Sequence, residues 1–489
     1  MAQKSDKPIR VRYAPSPTGY FHIGAARTVL FNWLFARKHN GIFVLRIEDT
    51  DKERSKPEFE QNIIEGMHWL GFTYDEGIMQ NGKAQGEFGP YRQSERGDIY
   101  ARYIQQLLDA HYAYYCFCTI EELEQTRQSM ITQGKPAIYN GTCRSLAEND
   151  VKEKFLSKKS AVIRFKTPAE KVSFTDLIRG KVIFDNALIG DIVIAKNVRE
   201  PLFILSNLID DELMHISHVI RGEDHIANTP KQITLGKALD FHQPVFGHLP
   251  LILNPDRSKM SKRAGPIAIN EYKTAGYLPE ALINFLALLG WHPAGDREVF
   301  TLAELIQEFD FPRVQKGGAI FNIEKLDWFN NHYLKQLPPA ELLAKLQSAG
   351  LIPLNDFSPE QLEKIIALTK ERLRRLTDFT AETDFFFALP AYDPALLVWK
   401  KSTPEIAKKN LELCHEALLQ IHDVVFTEPI IEAALMPIAE ANGRGDVLWP
   451  LRVALSGKNA SPGPLEILDI LGKSRALARI IEARDKLGS

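Results

Sequence analysis

Cysteine is scarce, with four in 489 residues, which leaves no disulfide framework to build an extracellular scaffold on. A charge of one sign is also missing. Sixty Lys and Arg stand against 62 Asp and Glu, a formal net charge of −2. Any nucleic-acid partner must therefore be met by local basic patches, not by a global field. Long apolar runs are absent too. The stretch from Met1 to Arg10 is polar and has no secretory core. The most apolar helical segment, Leu278 to Trp291, is interrupted by Glu280 and Asn284 and is too short to span a bilayer. No internal repeat or low-complexity tract is visible. These absences exclude a stapled secreted module and a membrane-spanning protein, and they make the cytoplasm the expected compartment.

What remains is a globular composition, 45% apolar and 25% charged, long enough for about three to five domains. Residues 11–14 read as a strand, followed by a Pro/Gly turn and a helix from Ala25 to Lys38 with Val29, Leu30, Trp33 and Leu34 on its buried face. The run Ile42 to Ile47 completes a βαβ unit and the start of a parallel sheet. A second run, Ile216 to Ile220, leads into a helix with Thr229 as N-cap and Pro230 at N1, and Pro244 to Leu253 supplies another strand. Between them the alternation is interrupted by a more polar block. Beyond residue 270 helical periodicity dominates, most clearly at Glu360 to Arg375, Pro404 to Ile421 and Pro464 to Lys486.

Two motifs carry the chemistry. His22-Ile-Gly24 lies where a helix begins, so free backbone N–H groups and the helix dipole favour phosphate, Gly24 admits close approach, and an imidazole can stabilise developing charge. An isolated His-x-Gly is more often an ordinary turn, but here Ala14-Pro-Ser-Pro-Thr-Gly19 precedes it and an apolar helix follows. Downstream, Lys259 and Lys262 bracket Met260 and Ser261. Two ammonium groups on a loop can close over a triphosphate, although a solvated basic loop is the usual fate of such a cluster. A third constellation is Cys116-x-Cys118 with Cys143, spaced for tetrahedral zinc with one donor short. Ser145 and Tyr139 both stand near enough in sequence to supply it. Cys414, on an apolar helix face, reads as core.

These motifs, together with Arg46-Ile-Glu-Asp-Thr-Asp51, Tyr91-Arg-Gln-Ser-Glu-Arg96, Val219-Ile-Arg-Gly-Glu-Asp-His225, Ser258-Lys-Met-Ser-Lys-Arg263 and Leu451-Arg-Val-Ala-Leu-Ser-Gly457, resemble the bacterial glutamyl-tRNA synthetases, a branch of the class I aminoacyl-tRNA synthetases. The resemblance covers essentially the whole chain. The small residue Ala25 after His22-Ile-Gly24 agrees with this branch, and Phe203 stands where a pocket tyrosine is expected. The resemblance implies an α/β Rossmann-type parallel-sheet catalytic domain split by an acceptor-binding insertion, then all-α stem-contact and anticodon-binding domains. The segments would be 1–94 and 203–270 for the catalytic halves, 95–202 for the insertion with its cysteine cluster, 271–338 for the stem-contact domain, and 339–489 for the anticodon-binding region with a break near 397.

By the same resemblance, His22, Gly24, Lys259 and Lys262 are catalytic, and ATP is held by Pro15, Ser16, Thr18, Gly19, His22, Gly24, Met260, Ser261, Lys262 and Arg263. Glutamate is held by Arg12, Ser16, Glu48, Asn207, Arg221 and His225. Arg372 and Arg374 read the anticodon, and Cys116, Cys118 and Cys143, with Tyr139 as one option, form the metal site that some members fill with zinc. ATP with Mg²⁺, L-glutamate and tRNA(Glu) are the implied substrates, tRNA(Gln) is an alternative acceptor, and a monomer without membrane attachment is expected. Rival readings are a glutaminyl-tRNA synthetase with a β-barrel anticodon module, a truncated tRNA-modifying paralogue lacking the helical half, and a catalytically dead tRNA-binding scaffold.

Overall fold

Apolar runs alternating with helical patterns build a parallel sheet because each crossover helix must bury its apolar stripe on the sheet face. In the computed structural model, which describes residues 8–260, 268–354 and 357–488, strand Arg10–Tyr13 pairs in parallel with Ile42–Leu45, and helix Ile23–Lys38 makes the crossover. That helix buries Val29, Leu30, Trp33 and Leu34.

The second half repeats the scheme. Strand His218–Gly222 pairs in parallel with Val245–Leu249, with helix Thr229–Ala238 between them in sequence. Ser217 stitches the halves together. Its backbone N–H donates to the Arg10 carbonyl at 3.0 Å and its Oγ accepts the Arg10 N–H at 2.8 Å. The polar block between the halves forms two structures. Ala113–Cys116, Val162–Phe165, Val193–Asn197 and Glu200–Pro201 make a separate antiparallel sheet. The hairpin Lys171–Asp176 and Gly180–Asp185 instead joins the parallel sheet, with Asp176 opposite Phe246.

The chain divides into two compact units. One comprises Met1–Tyr272 and Leu282–Ile323; the other comprises Lys273–Ala281 and Glu324–Ser489. The second unit is helical and holds no strand among the described residues. Its core includes Leu411, Cys414, Leu435, Leu451 and Ile467, all fully buried. No helix among the described residues is long and apolar enough to cross a membrane.

Several sequence expectations need correction. Thr229 does not cap its helix. It is the first residue of Thr229–Ala238, preceded by a 3₁₀ turn at Glu223–Asn228, and its Oγ is bonded to buried side chains. The helix expected to reach Arg375 ends at Thr369. Asn330 and Asn331 donate to the carbonyls of Arg374 and Leu373 at 2.6 Å each, and Asp378 accepts the N–H groups of Arg374 and Arg375. The run Pro464 to Lys486 is two helices, Pro464–Leu471 and Lys473–Lys486, broken at Gly472 with φ of 75°, a conformation that glycine adopts at no steric cost. Pro244 to Leu253 is likewise two strands, Val245–Leu249 and Ile252–Leu253.

Candidate active site

In open α/β sheets ligands sit outside the carboxyl ends of the strands. A cavity of about 460 Å³ opens there, lined by Tyr13 and Ala14 after the first strand, Arg221 and Gly222 at the end of His218–Gly222, and Pro250 after Val245–Leu249. Arg12, His22, Gly24, Asn207, His225, Lys259 and Met260 also line it. Sequence motifs from both halves therefore meet in one place. Of the other expected residues, Pro15, Ser16, Thr18, Gly19 and Glu48 are not among the lining residues, and Ser16 and Thr18 are exposed. Ser261, Lys262 and Arg263 lie outside the described residues.

His22 is the N-cap of helix Ile23–Lys38. Its Nδ1 accepts the Ala25 N–H at 3.2 Å, so the neutral ring carries its proton on Nε2. Burial and then Lys259 push its pKa below 6.5, which keeps the ring neutral around pH 7. A Cβ at Gly24 would stand 3.3 Å from the His22 ring, so a side chain there would press on the ring that caps the helix. Backbone pairing anchors the flanks of both motifs. In the second, Met260 donates its N–H to the Ile252 carbonyl at 3.1 Å, and in the first, His22 forms a bridge with Ala268.

The residues expected to hold glutamate occupy distinct layers. Arg12 is 3% exposed and its fork already grips Asp211, Nε to Oδ1 at 3.0 Å and Nη2 to Oδ2 at 3.3 Å. Arg46, fully buried, donates to Asp211 at 2.8 Å and to Glu48 at 3.0 Å. Burial lifts the Glu48 carboxyl above its ordinary range despite Arg46. Glu48 receives the Asn207 amide at 2.7 Å, and its Oε2 is buried without a hydrogen-bond partner. It thus stands behind Asn207, which reaches the cavity. Phe203 packs against His225 with ring centroids 5.1 Å apart, an apolar contact where the resemblance leads one to expect a hydroxyl. Burial and then Arg221 depress His225 to about 4.

Arg221 is the distinctive group. It is 6% exposed. Its Nη2 donates to Thr229 Oγ1 at 2.8 Å and Gln232 Oε1 at 2.7 Å, and its Nε approaches His248 Nε2 at 3.4 Å. None of these acceptors is a carboxylate. Nη1 is buried with no hydrogen-bond partner. Burial and then Arg12 lower its pKa to about 9. A buried cation with an open pair of donors is costly unless an anion arrives to meet it. Nothing in the sequence singles out Asp211, Thr229, Gln232, His248 or Asp176 as part of this site. Their partners come from other parts of the chain, and only the fold reveals them.

The cysteine cluster lies at the end of strand Ala113–Cys116. The sulfurs of Cys116, Cys118 and Cys143 lie within 4.8 Å of one another. Cys118 and Cys143 are 3.6 Å apart, and Tyr139 Oη lies 3.4 Å from Cys116 Sγ and 3.6 Å from Cys118 Sγ. Tetrahedral zinc with Zn–S bonds near 2.3 Å spaces its sulfurs by about 3.8 Å. The three sulfurs therefore fit such a site, and Tyr139 Oη, which accepts the Cys143 N–H at 2.9 Å, lies beside them, while Ser145 is exposed. The Arg164 guanidinium sits 3.9 Å from the Tyr139 ring centroid and holds the ring in place.

In the helical unit, Arg372 and Arg374 line a second cavity of about 450 Å³ with Asp327, Trp328 and Asn331. The other basic residues of this unit are partly committed elsewhere. Lys473 donates to the Ile421 carbonyl at 2.6 Å and Arg479 to that of Leu455 at 2.6 Å, where they satisfy helix ends.

The α/β fold thus turns a helix N-terminus and a histidine toward one ligand space. Comparison gives the class. Residues 8–328 match the family model "tRNA synthetases class I (E and Q), catalytic domain", and residues 333–484 match "Anticodon binding domain". The chain is 42% identical to a glutamate–tRNA ligase of Moorella thermoacetica over 97% of its length and 98% of that protein. It is 42% identical to the glutamate–tRNA ligase of Carboxydothermus hydrogenoformans over 97% of its length and 99% of that protein. The crystal structure of a glutamate tRNA ligase from Elizabethkingia meningosepticum in complex with its amino acid matches with a TM-score of 0.89 at 36% identity, covering 98% of this chain and 100% of that one. The chain belongs to the class I tRNA synthetases of the glutamate and glutamine branch.

Proposed function

We propose that this synthetase joins L-glutamate to tRNA(Glu) in two steps. The observation that carries the choice of amino acid is Arg221, a buried guanidinium with Nη1 unpartnered and no carboxylate within hydrogen-bond reach among the described residues. A dicarboxylate substrate supplies the missing anion, and a planar fork suits it. An uncharged amide leaves the cation uncompensated. In the first step an oxygen of the glutamate α-carboxylate attacks the ATP α-phosphorus and pyrophosphate leaves. In the second a ribose hydroxyl of the tRNA terminal adenosine attacks the acyl carbon and AMP leaves.

His22 donates from Nε2 to a phosphate oxygen as charge builds, the N-terminus of helix Ile23–Lys38 adds its dipole, and Lys259, with Lys262, meets the departing pyrophosphate. Mg²⁺ accompanies the ATP phosphates, which is how this cation usually reaches such sites. On this reading residues 95–202 hold the acceptor end, 271–338 the stem, and 339–489 the anticodon, with Arg372 and Arg374 beside the half-exposed Trp328 as its readers. The helical second unit speaks against the glutaminyl alternative with its β-barrels. Pyrophosphate exchange should depend on glutamate, not glutamine, and should be measured with and without tRNA. Exchange driven equally by both amino acids overturns the reading.

Zinc belongs to the same proposal. Cys116, Cys118, Cys143 and Tyr139 would hold it as a closed structural site. Purified protein should contain about one equivalent by elemental analysis. Cys143→Ser should lose it, and Tyr139→Phe should release it faster to a chelator. Metal-free protein with an unchanged thermal transition contradicts the assignment.

A further inference from the structure

Behind Arg221 lies a line of buried polar groups that the reaction itself does not use. His248, on strand Val245–Leu249, is fully buried. Its Nδ1 lies 2.6 Å from Asp176 Oδ2, and its Nε2 lies 3.0 Å from Thr229 Oγ1 and 3.4 Å from Arg221 Nε. Asp176 comes from the hairpin that joins the parallel sheet. Its other oxygen accepts the N–H groups of Ile178 and Arg179, both at 2.9 Å. A carboxylate so held can only accept, so His248 Nδ1 must donate.

We infer that Asp176 and His248 are positioning residues which fix one tautomer of the imidazole and thereby aim the Arg221 guanidinium into the amino-acid pocket. The inference rests on the proposed role of Arg221. With the proton on Nδ1, Nε2 is an acceptor. It takes the Thr229 hydroxyl, which leaves Thr229 Oγ1 free to accept from Arg221 Nη2, and it faces the Arg221 Nε–H. The polarity continues without conflict on the other side. Gln232 Oε1 accepts from Arg221, Gln232 Nε2 donates to Asn207 Oδ1 at 3.0 Å, and Asn207 Nδ2 donates to Glu48 at 2.7 Å. The hydrogens on Nη2 and Nε are thus directed at protein acceptors, and those on Nη1 are reserved.

The opposite tautomer, or a protonated ring, would turn an Nε2–H against the Arg221 Nε–H and compete for Thr229. The ring is shielded from solvent by Phe174 and Phe246, each with its centroid 6.3 Å from that of His248. The charged groups around it are Asp176, Arg221 and Arg179. Of these only Asp176 is hydrogen-bonded to the ring as an anion, and it is the residue that selects the tautomer.

Asp176→Asn is nearly isosteric, but its amide can donate to Nδ1 and so reverse the tautomer. The expected result is a KM for glutamate raised about tenfold or more, with KM for ATP within about twofold. His248→Gln keeps a donor toward Asp176 and an acceptor toward Arg221, so it should retain most glutamate affinity, whereas His248→Leu should lose it as Asp176→Asn does. Wild-type protein labelled with ¹⁵N-histidine, and assigned with His248→Gln, should show a neutral ring protonated on Nδ1 at pH 7. A ring protonated on Nε2, or a glutamate KM unchanged in Asp176→Asn, overturns the inference. If Arg221→Gln also leaves the glutamate KM unchanged, the pocket reading fails with it; if Arg221→Gln raises KM and Asp176→Asn does not, only the positioning role is lost.

Discussion

Arg221→Gln should lower kcat/KM for glutamate by about a hundred- to a thousandfold, the range found when one member of a desolvated charge pair is removed. The loss should fall mainly on KM for glutamate and spare KM for ATP, because the reserved donors of Arg221 are proposed to meet the amino acid and the phosphates are left to His22 and Lys259. Glutamine should gain relative to glutamate, since the charge that disfavours an amide has been removed. The fold should survive. Arg221 is hydrogen-bonded to Thr229 and Gln232, so replacing it strands no buried carboxylate, and glutamine can still meet Thr229. Arg46 is the opposite case. There Glu48 has the guanidinium as its one ion-pair partner among the described residues, and truncation would leave a buried anion unpaired. Steady-state kinetics with glutamate, glutamine and ATP varied in turn provide the check. An unchanged glutamate KM in Arg221→Gln would falsify the pocket assignment.

His22→Ala should slow adenylate formation by about a hundred- to a thousandfold, the cost of one preorganised donor at a developing charge. The substitution also removes a helix cap worth about 1 kcal/mol. His22→Asn separates the two effects, because asparagine caps a helix well but presents no ring Nε2–H to the phosphate. Both variants should therefore be slow in pyrophosphate exchange, and only the alanine variant should melt at a lower temperature. With the wild-type ring held neutral by burial and Lys259, its protonation falls below pH 6.5, where a proton on Nδ1 displaces the Ala25 N–H and weakens the cap while Nε2 still donates. Fast exchange by His22→Asn would show that the ring serves the helix and not the reaction.

Much of this site is legible in the sequence because its chemistry is concentrated in contiguous motifs. His22, Gly24, Arg221, His225, Lys259 and Met260 come to one cavity as their motifs suggest. The layer behind them is not legible. Asp211 grips Arg12 from 199 residues away, and Asp176 meets His248 across 72. Nothing local to such an acid or histidine marks its partner until the fold is known. The same limit explains the helices that end sooner than their periodicity implies. Apolar spacing continues through Gly472 and past Thr369, but a positive φ ends one helix and the amides of Asn330 and Asn331 hold the carbonyls beyond the other. Pocket depth is hidden as well. Glu48 belongs to its motif, yet it supports Asn207 from behind the cavity wall.

Charging of purified tRNA(Glu) with radiolabelled glutamate, alongside tRNA(Gln) and with glutamine as competitor, tests the glutamate assignment most directly. The predicted result is ATP-dependent attachment of glutamate to tRNA(Glu), strong exclusion of glutamine, and loss of attachment in Arg221→Gln at glutamate concentrations that saturate the wild type. Attachment of glutamine as readily as glutamate, or no attachment of either, would contradict it.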